Sequence, residues 1–298
     1  MDQSKIFNKD IAPGTIENIL EETKKNNDHT FLNSQLLTII KDLVVKQTYI
    51  QRKNNCSNPF NKFGRKCFSQ TDEDGITYEI IKRLGIKKGS YAEFGVGDGM
   101  ENNTLLLASL GWRGFWVGVE DLVFDSNSSN DKFNYTKEWI TLDNITNICE
   151  ESMKKQNIKY LDVISLDLDG NDYHFCEAIL KKNLKPKLFI VEYNSKFFPP
   201  VEFIMKYDQF HNWQLDDYYG ASLQSFKILF ESFDYKLVCC NSHTGTNAFF
   251  VQNKFSQLFK EVPMNINEIY IEPNFDLACK FGHFSSSKVI ENIMNQNI

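Results

Sequence analysis

The segment Ser90–Glu120 constrains the fold more than any other part of the chain, because it holds two apolar runs separated by a glycine loop. Tyr91–Phe94 is short, apolar and aromatic, as is typical of a buried strand. Asn102–Leu110 carries helix-forming residues with an apolar face, and Trp112–Gly118 is a second apolar run. The segment is therefore predicted to form a strand, a loop, a helix and a second strand.

The loop after the first strand contains three glycines in five residues, Gly95, Gly97 and Gly99. Glycine has no Cβ atom, so the backbone can turn tightly there and approach a ligand closely. A loop of this kind at the start of a helix presents backbone N–H groups to a nucleotide-like ligand. Glu120, at the end of the second strand, can accept two hydrogen bonds from the hydroxyls of a ribose.

Two residues around this loop distinguish between possible ligands. A dinucleotide fingerprint requires G-x-G-x-x-G, and Met100 stands at the position of its third glycine. Glu93 would repel a pyrophosphate, but it suits a cationic ligand such as the amino group of S-adenosylmethionine (SAM). The pattern E-x-G-x-G-x-G, with an acid closing the second strand, resembles the SAM-binding site of class I methyltransferases. A glycine turn in another kind of α/β protein is the alternative.

Length and charge limit the class of protein. The 298 residues suffice for one large α/β domain with appendages, or for two domains at most. The net charge of -6, without a basic patch, argues against a nucleic-acid partner. No apolar run approaches the roughly 18 residues of a membrane span, and the first ten residues lack the apolar segment of a signal peptide. We therefore expect a cytoplasmic protein.

Apolar runs and helical patterns continue to alternate after Glu120. Residues 121–137 are predicted to be a loop, and further strands are predicted at Trp139–Leu142, Asp162–Asp167, Leu188–Asn194, Tyr235–Cys240 and Ala248–Val251. This alternation predicts a Rossmann-like α/β fold, with about seven mostly parallel strands and helices on both faces of the sheet. Only a turn separates the last two strands, so one of them is antiparallel.

The predicted sheet sets the division into domains. The methyltransferase-like domain is expected at residues 70–252, with a helical and loop extension at 1–69 and a C-terminal extension at 253–298 packed on it. Asn33–Gln51 has apolar residues at near-helical spacing and is predicted to be an amphipathic helix. Its apolar face can pack on the main domain, or it can form the surface of a homo-oligomer.

Acidic and polar residues follow three of the predicted strands. Glu93 lies at the end of the first, Asp167–Asp172 at the end of the fourth, and Glu192-Tyr193-Asn194 at the end of the fifth. In an open parallel sheet, ligands bind beyond the carboxyl ends of the strands. Acids at three such ends are expected to converge on one crevice.

The segments that carry these acids resemble one group of methyltransferases. LDVISLDLDGNDYHFCEAI, KPKLFIVEYN, YYGASLQSF and NSHTGTNAFFV are similar to bacterial FkbM-like methyltransferases, over about Phe68–Val251. These proteins are commonly linked to O-methylation of sugars, polysaccharides or antibiotics.

The resemblance implies roles for individual residues. The amino-acid part of SAM would be held by Glu93, Gly95, Gly97 and Gly99, the ribose by Glu120, and the adenine by Thr141 and Leu142. Asn103, Asp121 and Asp167 complete the predicted cofactor contacts. Asp167 or Asp169 would face the methyl group and the acceptor, and a carboxylate or a histidine such as His174 would take the proton of the acceptor hydroxyl.

The resemblance also suggests a divalent ion, since some sugar and catechol O-methyltransferases bind magnesium after their fourth and fifth strands. Asp169, Glu192 and Asn194 are similarly placed, and oxygen ligands suit Mg²⁺. The chain has Glu192-Tyr193-Asn194 where the macrocin-type enzymes have two adjacent acids. Direct contact of these residues with the acceptor is the alternative.

The sequence thus predicts a SAM-dependent O-methyltransferase that acts on a small polar or sugar-like acceptor. A NAD-dependent oxidoreductase is the first alternative, against which Glu93 and Met100 both count. A SAM-binding protein without catalysis is the second. The acids at Asp167–Asp172 and at Glu192 count against it, because binding SAM alone does not need them.

Overall fold

The computed structural model describes residues 29–125, 131–274 and 286–295. The chain divides into two compact units, Met1–Gln51 and Arg52–Ile298. The first 28 residues of the predicted N-terminal extension lie outside the described residues, as do residues 275–285 and 296–298 of the C-terminal extension. Helix α1, His29–Asn55, confirms the helix predicted at Asn33–Gln51.

The second unit contains a seven-stranded sheet. Its strands are β1 Ser90–Phe94, β2 Arg113–Gly118, β3 Phe133–Lys137, β4 Val163–Leu166, β5 Leu188–Glu192, β6 Tyr235–Cys240 and β7 Asn247–Gln252. Their order in the sheet is β3-β2-β1-β4-β5-β7-β6. The pairs among β1 to β5 are parallel, and β7 runs antiparallel to both β5 and β6. The Rossmann-like sheet predicted from the sequence, with one antiparallel strand, is confirmed.

Helices connect the strands of this sheet. They are α2 Glu73–Arg83, α3 Leu105–Ser109, α4 Ile145–Lys155, α5 Asp172–Lys181 and α6 Leu223–Ser232, followed by α7 Ile266–Ile269 and α8 Ser287–Asn295. Two 3-10 helices lie at Pro59–Phe63 and Asn253–Phe259. The apolar face of α4 shows why these segments are helical, since Ile145, Ile148 and Met153 recur at helical spacing and are all buried.

The third strand lies elsewhere than the sequence predicted. It was expected at Trp139–Leu142, after a loop at 121–137, but β3 is Phe133–Lys137 and residues 138–143 form no strand. β3 is one of the two edge strands, and its polar and aromatic residues alternate, with Phe133 packed edge-to-face on Trp116 at 5.0 Å. An edge strand of this kind lacks the continuous apolar run that marks a buried strand.

The sheet has its switch point at β1, which lies between β2 and β4. The chain leaves β1 toward one side and returns to its other side through β4, so a crevice opens at the carboxyl ends of these two strands. β1 and β4 are buried along their whole length, which fixes the position of that crevice. Within the described ranges, the helices are too short or too polar to cross a bilayer.

Candidate functional site

A cavity of about 290 Å³ lies at the carboxyl ends of the parallel strands. Its wall is formed by the loop after β1, the end of β2, residues 138–140 after β3, the start of the loop after β4, and residues 211–213. Four neighbouring strands therefore contribute to one site, as expected for a sheet with this switch point. The volume is close to the lower limit of about 300 Å³ for small-molecule pockets.

Two of the three predicted glycines line the cavity. Gly95 has a φ of +87°, and a Cβ atom there would lie 1.6 Å from the backbone oxygen of Asp167. Gly97 has a φ of +50°, and a Cβ atom there would meet no protein atom within 4 Å, so its open side faces the cavity. Gly99 lies away from the cavity wall, where a Cβ atom would be 3.0 Å from Leu122 Cδ2.

Glu93 makes contacts other than those predicted for it. Its carboxylate accepts hydrogen bonds from the backbone N–H of Asn103 at 2.8 Å, from the backbone N–H of Thr104 at 3.0 Å and from the Thr104 hydroxyl. Glu93 is buried, and burial raises the pKa of its carboxyl group to about 7. The residue ties β1 to the start of α3 and is absent from the cavity wall that the structure describes, as is Asn103.

The acids after β2 divide into one that lines the cavity and one that does not. Glu120 lines it, and the Tyr135 hydroxyl donates to the Glu120 backbone oxygen at 2.5 Å. Asp121 instead forms an ion pair with Lys137 at 2.7 Å and is 91% exposed. Of the two predicted cofactor contacts, only Glu120 is therefore placed at the cavity.

The wall after β3 is formed by neighbours of the predicted residues. Thr141 donates its backbone N–H to Asn144 Oδ1 at 2.7 Å, and Leu142 donates its own to the Tyr207 hydroxyl at 3.0 Å. Neither is among the described lining residues, whereas Glu138, Trp139 and Ile140 are. The shift follows from the misplaced third strand, because the strand ends at Lys137 and not at Leu142.

Three carboxylates meet beyond β4 and β5. Asp167, Asp169 and Glu192 each offer an oxygen atom, and these atoms lie within 4.8 Å of one another. Glu192 Oε2 is buried, and no N–H or hydroxyl group of the described residues donates to it. We call these three residues the carboxylate cluster, and its oxygens are of the type that a cation requires.

The predicted ligand Asn194 makes hydrogen bonds to the chain after β5. It is fully buried, and its amide nitrogen donates to the backbone oxygens of Asp217 and Tyr219, both at 3.0 Å. The amide therefore fastens the loop after β5. Asp167, predicted as a cofactor contact and a catalytic residue, lies beside Asp169 and Glu192.

Burial and mutual repulsion shape the protonation of the carboxylate cluster. Burial, and then the charges of Asp169 and Asp172, raises the pKa of Asp167 well above its ordinary value. The pKa of Glu192 is raised by burial and then by the charge of Asp167.

The loop that carries Asp169 is held by Asp172, at the start of α5. The Asp172 carboxylate accepts the backbone N–H of Leu168 at 2.7 Å and that of Gly170 at 2.8 Å. Between these two contacts, Asp169 has a φ of +51°, which is rare outside glycine but is tolerated by Asp and Asn. Burial raises the pKa of Asp172 to about 7.

Residues 211–213 form a fifth part of the cavity wall. The Asn171 side chain donates to the Asp208 backbone oxygen at 2.7 Å and accepts from the Asp208 N–H at 3.1 Å. These two bonds bring His211 to the cavity beside Gly170, where a Cβ atom would lie 2.4 Å from His211 Cδ2. Burial lowers the pKa of His211.

His174, the predicted histidine base, lies away from the cavity wall in the part of the chain that the structure describes. Its Nε2 atom is 2.7 Å from the backbone oxygen of Met205, so Nε2 must carry a proton and donate it. The ring also packs edge-to-face against Tyr207 at 5.7 Å. These contacts join α5 to the segment before His211.

Comparison with known proteins gives only distant likenesses. No family model and no curated protein matches the chain. Among solved structures, an O-methyltransferase family 2 protein from Planctomyces limnophilus in complex with apigenin is 12% identical, with a TM-score of 0.33 over 71% of this chain and 61% of that one. Human N-acetylserotonin methyltransferase in complex with SAM is 11% identical, with a TM-score of 0.33 over 55% and 47%.

A third solved structure is the glycopeptide N-methyltransferase MtfA complexed with S-adenosyl-L-homocysteine (SAH). It is 15% identical, with a TM-score of 0.35 over 64% of this chain and 94% of that one. The chain thus spans less than two thirds of the length of the first two proteins. At TM-scores below 0.5, these likenesses carry no argument about function.

Proposed function

We propose that the chain is a SAM-dependent methyltransferase that transfers a methyl group to a hydroxyl group of a small polar acceptor. The observation that carries this proposal is the cavity, because Gly97, Glu120 and Asp169 all line it from three adjacent strand ends. Gly97 leaves room for the amino-acid part of SAM, Glu120 is placed to accept from a ribose, and Asp169 supplies a carboxylate to the reaction.

The transfer needs alignment and one proton acceptor. The acceptor oxygen attacks the methyl carbon, the bond from carbon to sulfur breaks, and its electron pair stays on sulfur as SAH leaves. The hydroxyl proton passes to a carboxylate, for which Asp169 is the most exposed member of the cluster. Partial loss of hydration raises the pKa of Asp169, against the opposing charge of His211, which makes it a better proton acceptor than an ordinary aspartate.

The carboxylate cluster fits a cation, and the magnesium ion predicted from the sequence stays one candidate. Asp167, Asp169 and Glu192 would hold it, and the buried Glu192 Oε2 atom would gain a partner. When bound, Mg²⁺ would lower the pKa of an acceptor hydroxyl. Membership of the FkbM-like group, a sugar-like acceptor, a cytoplasmic location and a homo-oligomer also stay predictions.

Calorimetric titration with SAM, SAH and NAD tests the proposal. The native chain is expected to bind SAM and SAH but not NAD. Gly97→Asn should lower the affinity for SAM at least tenfold, because the new side chain would fill the space reserved for the ligand. Gly85→Asn is a matched control, since Gly85 also has a positive φ of +69° and an open Cβ direction, but lies outside the cavity wall. Binding of NAD alone would overturn the proposed function.

A further inference from the structure

The charges around the cavity are of one sign. Four lining residues are carboxylic acids, Glu120, Glu138, Asp167 and Asp169, and none of the described lining residues is a lysine or arginine. Glu192 adds a fifth acid next to two of them. A cavity with several carboxylates and without lysine or arginine attracts cations and repels anions. A phosphorylated or nucleotide-linked acceptor is therefore a poor match.

The carboxylate cluster is compact enough for one ammonium group to contact all three of its members. An ammonium donates three hydrogen bonds in tetrahedral directions, at about 2.8 Å to a carboxylate oxygen. The oxygens of the cluster lie within 4.8 Å of one another, so one ammonium group can reach all three of them. Glu192 Oε2 supplies a buried acceptor to which no described N–H or hydroxyl group donates.

We propose that Asp167, Asp169 and Glu192 bind a protonated amino group of the acceptor, so that the acceptor is a small amino alcohol such as an amino sugar. This inference rests on the proposed function and names the substrate class of the same site. The cluster is suited to this group because two of its members, Asp167 and Asp169, also line the cavity. An amino group held there would be next to the place where the acceptor hydroxyl must lie.

The same contacts decide which atom is methylated. A nitrogen that donates to three carboxylates stays protonated and has no lone pair with which to attack SAM. A hydroxyl group on a neighbouring carbon keeps its lone pairs, so its oxygen attacks the methyl carbon and its proton leaves to Asp169. The product is an O-methyl amino alcohol whose amino group is unmodified.

Matched pairs of sugars test the inference in the full chain saturated with SAH, so that the amino group of the cofactor is already bound. D-glucosamine and D-glucose form one pair, D-galactosamine and D-galactose a second, and D-glucose 6-phosphate provides an anionic probe. Calorimetry is expected to show at least tenfold tighter binding of the amino sugar in at least one pair. The phosphorylated sugar is expected not to bind.

Two variants remove charge from the cluster while keeping side-chain shape. Asp169→Asn is compatible with the positive φ at this position, because asparagine also tolerates it. Glu192→Gln is the second variant, in case the first alters the loop. Each should reduce the preference for the amino sugar to less than about threefold. Glu177→Gln removes an acid that pairs with Lys181 on α5, outside the cavity wall, and should leave the preference unchanged.

The outcomes separate this inference from the proposed function. If SAH binds but every amino sugar binds like its neutral partner, the inference is wrong and the proposed function stands. The inference is also wrong if Mg²⁺ binds to the native chain and not to Asp169→Asn, while each amino sugar binds no more tightly than its neutral partner. The cluster would then be a metal site. If neither SAM nor SAH binds, the proposed function itself fails.

Discussion

At the scale of single residues, Gly95 has the strictest requirement in the candidate site. Its φ of +87° is unfavourable for any residue with a Cβ atom, by about 1–2 kcal/mol. In addition, the Cβ direction points at the Asp167 backbone oxygen, 1.6 Å away. That oxygen belongs to the backbone that leaves β4, so it cannot rotate away as a flexible side chain could. The glycine thus allows the backbone segments that follow β1 and β4 to run side by side.

Gly95→Ala is expected to lower the free energy of unfolding by about 2–5 kcal/mol, from backbone strain together with overpacking. Gly111→Ala is the matched control, because Gly111 has a φ of +78° and no atom within 4 Å of its Cβ position. The control should cost only about 1–2 kcal/mol. Urea denaturation of the two variants measures the difference. Equal losses would mean that the close contact with Asp167 does not constrain this turn.

At the scale of elements, the segment between β5 and α6 completes the cavity. Next to His211, this segment is held by the two hydrogen bonds of Asn171 to Asp208 and by the Trp139 indole N–H, which donates to the Gln209 backbone oxygen at 2.8 Å. These bonds join it to the loop after β4 and to the residues after β3. His211 therefore reaches the site on a loop whose position depends on two other elements.

Asn171→Ala removes both hydrogen bonds to Asp208 and should release this loop. We expect the backbone amides of residues 208–213 to exchange with deuterium at least tenfold faster, and the protein to lose about 1–3 kcal/mol of stability. Asn253→Ala, which removes a single exposed hydrogen bond to Asp234, serves as the control. Unchanged exchange at 208–213 in Asn171→Ala would contradict the role assigned to this side chain.

These elements also show how far the sequence predicts the structure. β4 and β5 are short apolar runs buried on both faces, and the sequence located them within two residues. The acids after them were expected to converge by the strand-end rule, and Asp167, Asp169 and Glu192 do meet. β3 was misplaced because polar and aromatic residues alternate in this edge strand, which therefore has no continuous apolar run.

His211 escaped prediction for a different physical reason. It lies 40 positions after Asn171, in a segment without helical or strand periodicity, and long-range hydrogen bonds alone bring it to the site. Glu93 differs from His211, because the sequence predicted that it would contact the ligand, whereas in the structure its carboxylate bonds to Asn103 and Thr104. Its carboxylate accepts from the backbone N–H groups at the start of α3, which otherwise lack a partner. The sequence motif does not show that these N–H groups compete with a ligand for the carboxylate.

At the scale of the whole molecule, the structure places several acids in its interior or at the cavity. Burial raises the pKa of Glu93 and of Asp172 to about 7, and it also raises the pKa values of Glu73, Asp167 and Glu192. A carboxyl group with a raised pKa binds more protons in the folded than in the unfolded chain. Folding is therefore favoured at low pH by these groups, and their contribution is lost as the pH rises through the folded-state pKa.

The resulting pH dependence can be tested on Glu93, whose carboxyl group has an ordinary pKa of 4.5 and a folded-state pKa of about 7. Between these values the free energy of unfolding should fall by about 3 kcal/mol for this group, at 1.36 kcal/mol per pKa unit.

Glu93→Gln cannot ionise, so the stability difference between native chain and variant should narrow or reverse from pH 5 to pH 8. Glu177→Gln replaces a partly exposed glutamate on α5 and serves as the control. Its free energy of unfolding should differ from that of the native chain by the same amount at every pH. Urea denaturation at four pH values measures these differences. A constant difference for Glu93→Gln would mean that the hydrogen bonds from Asn103 and Thr104 keep the buried carboxylate ionised.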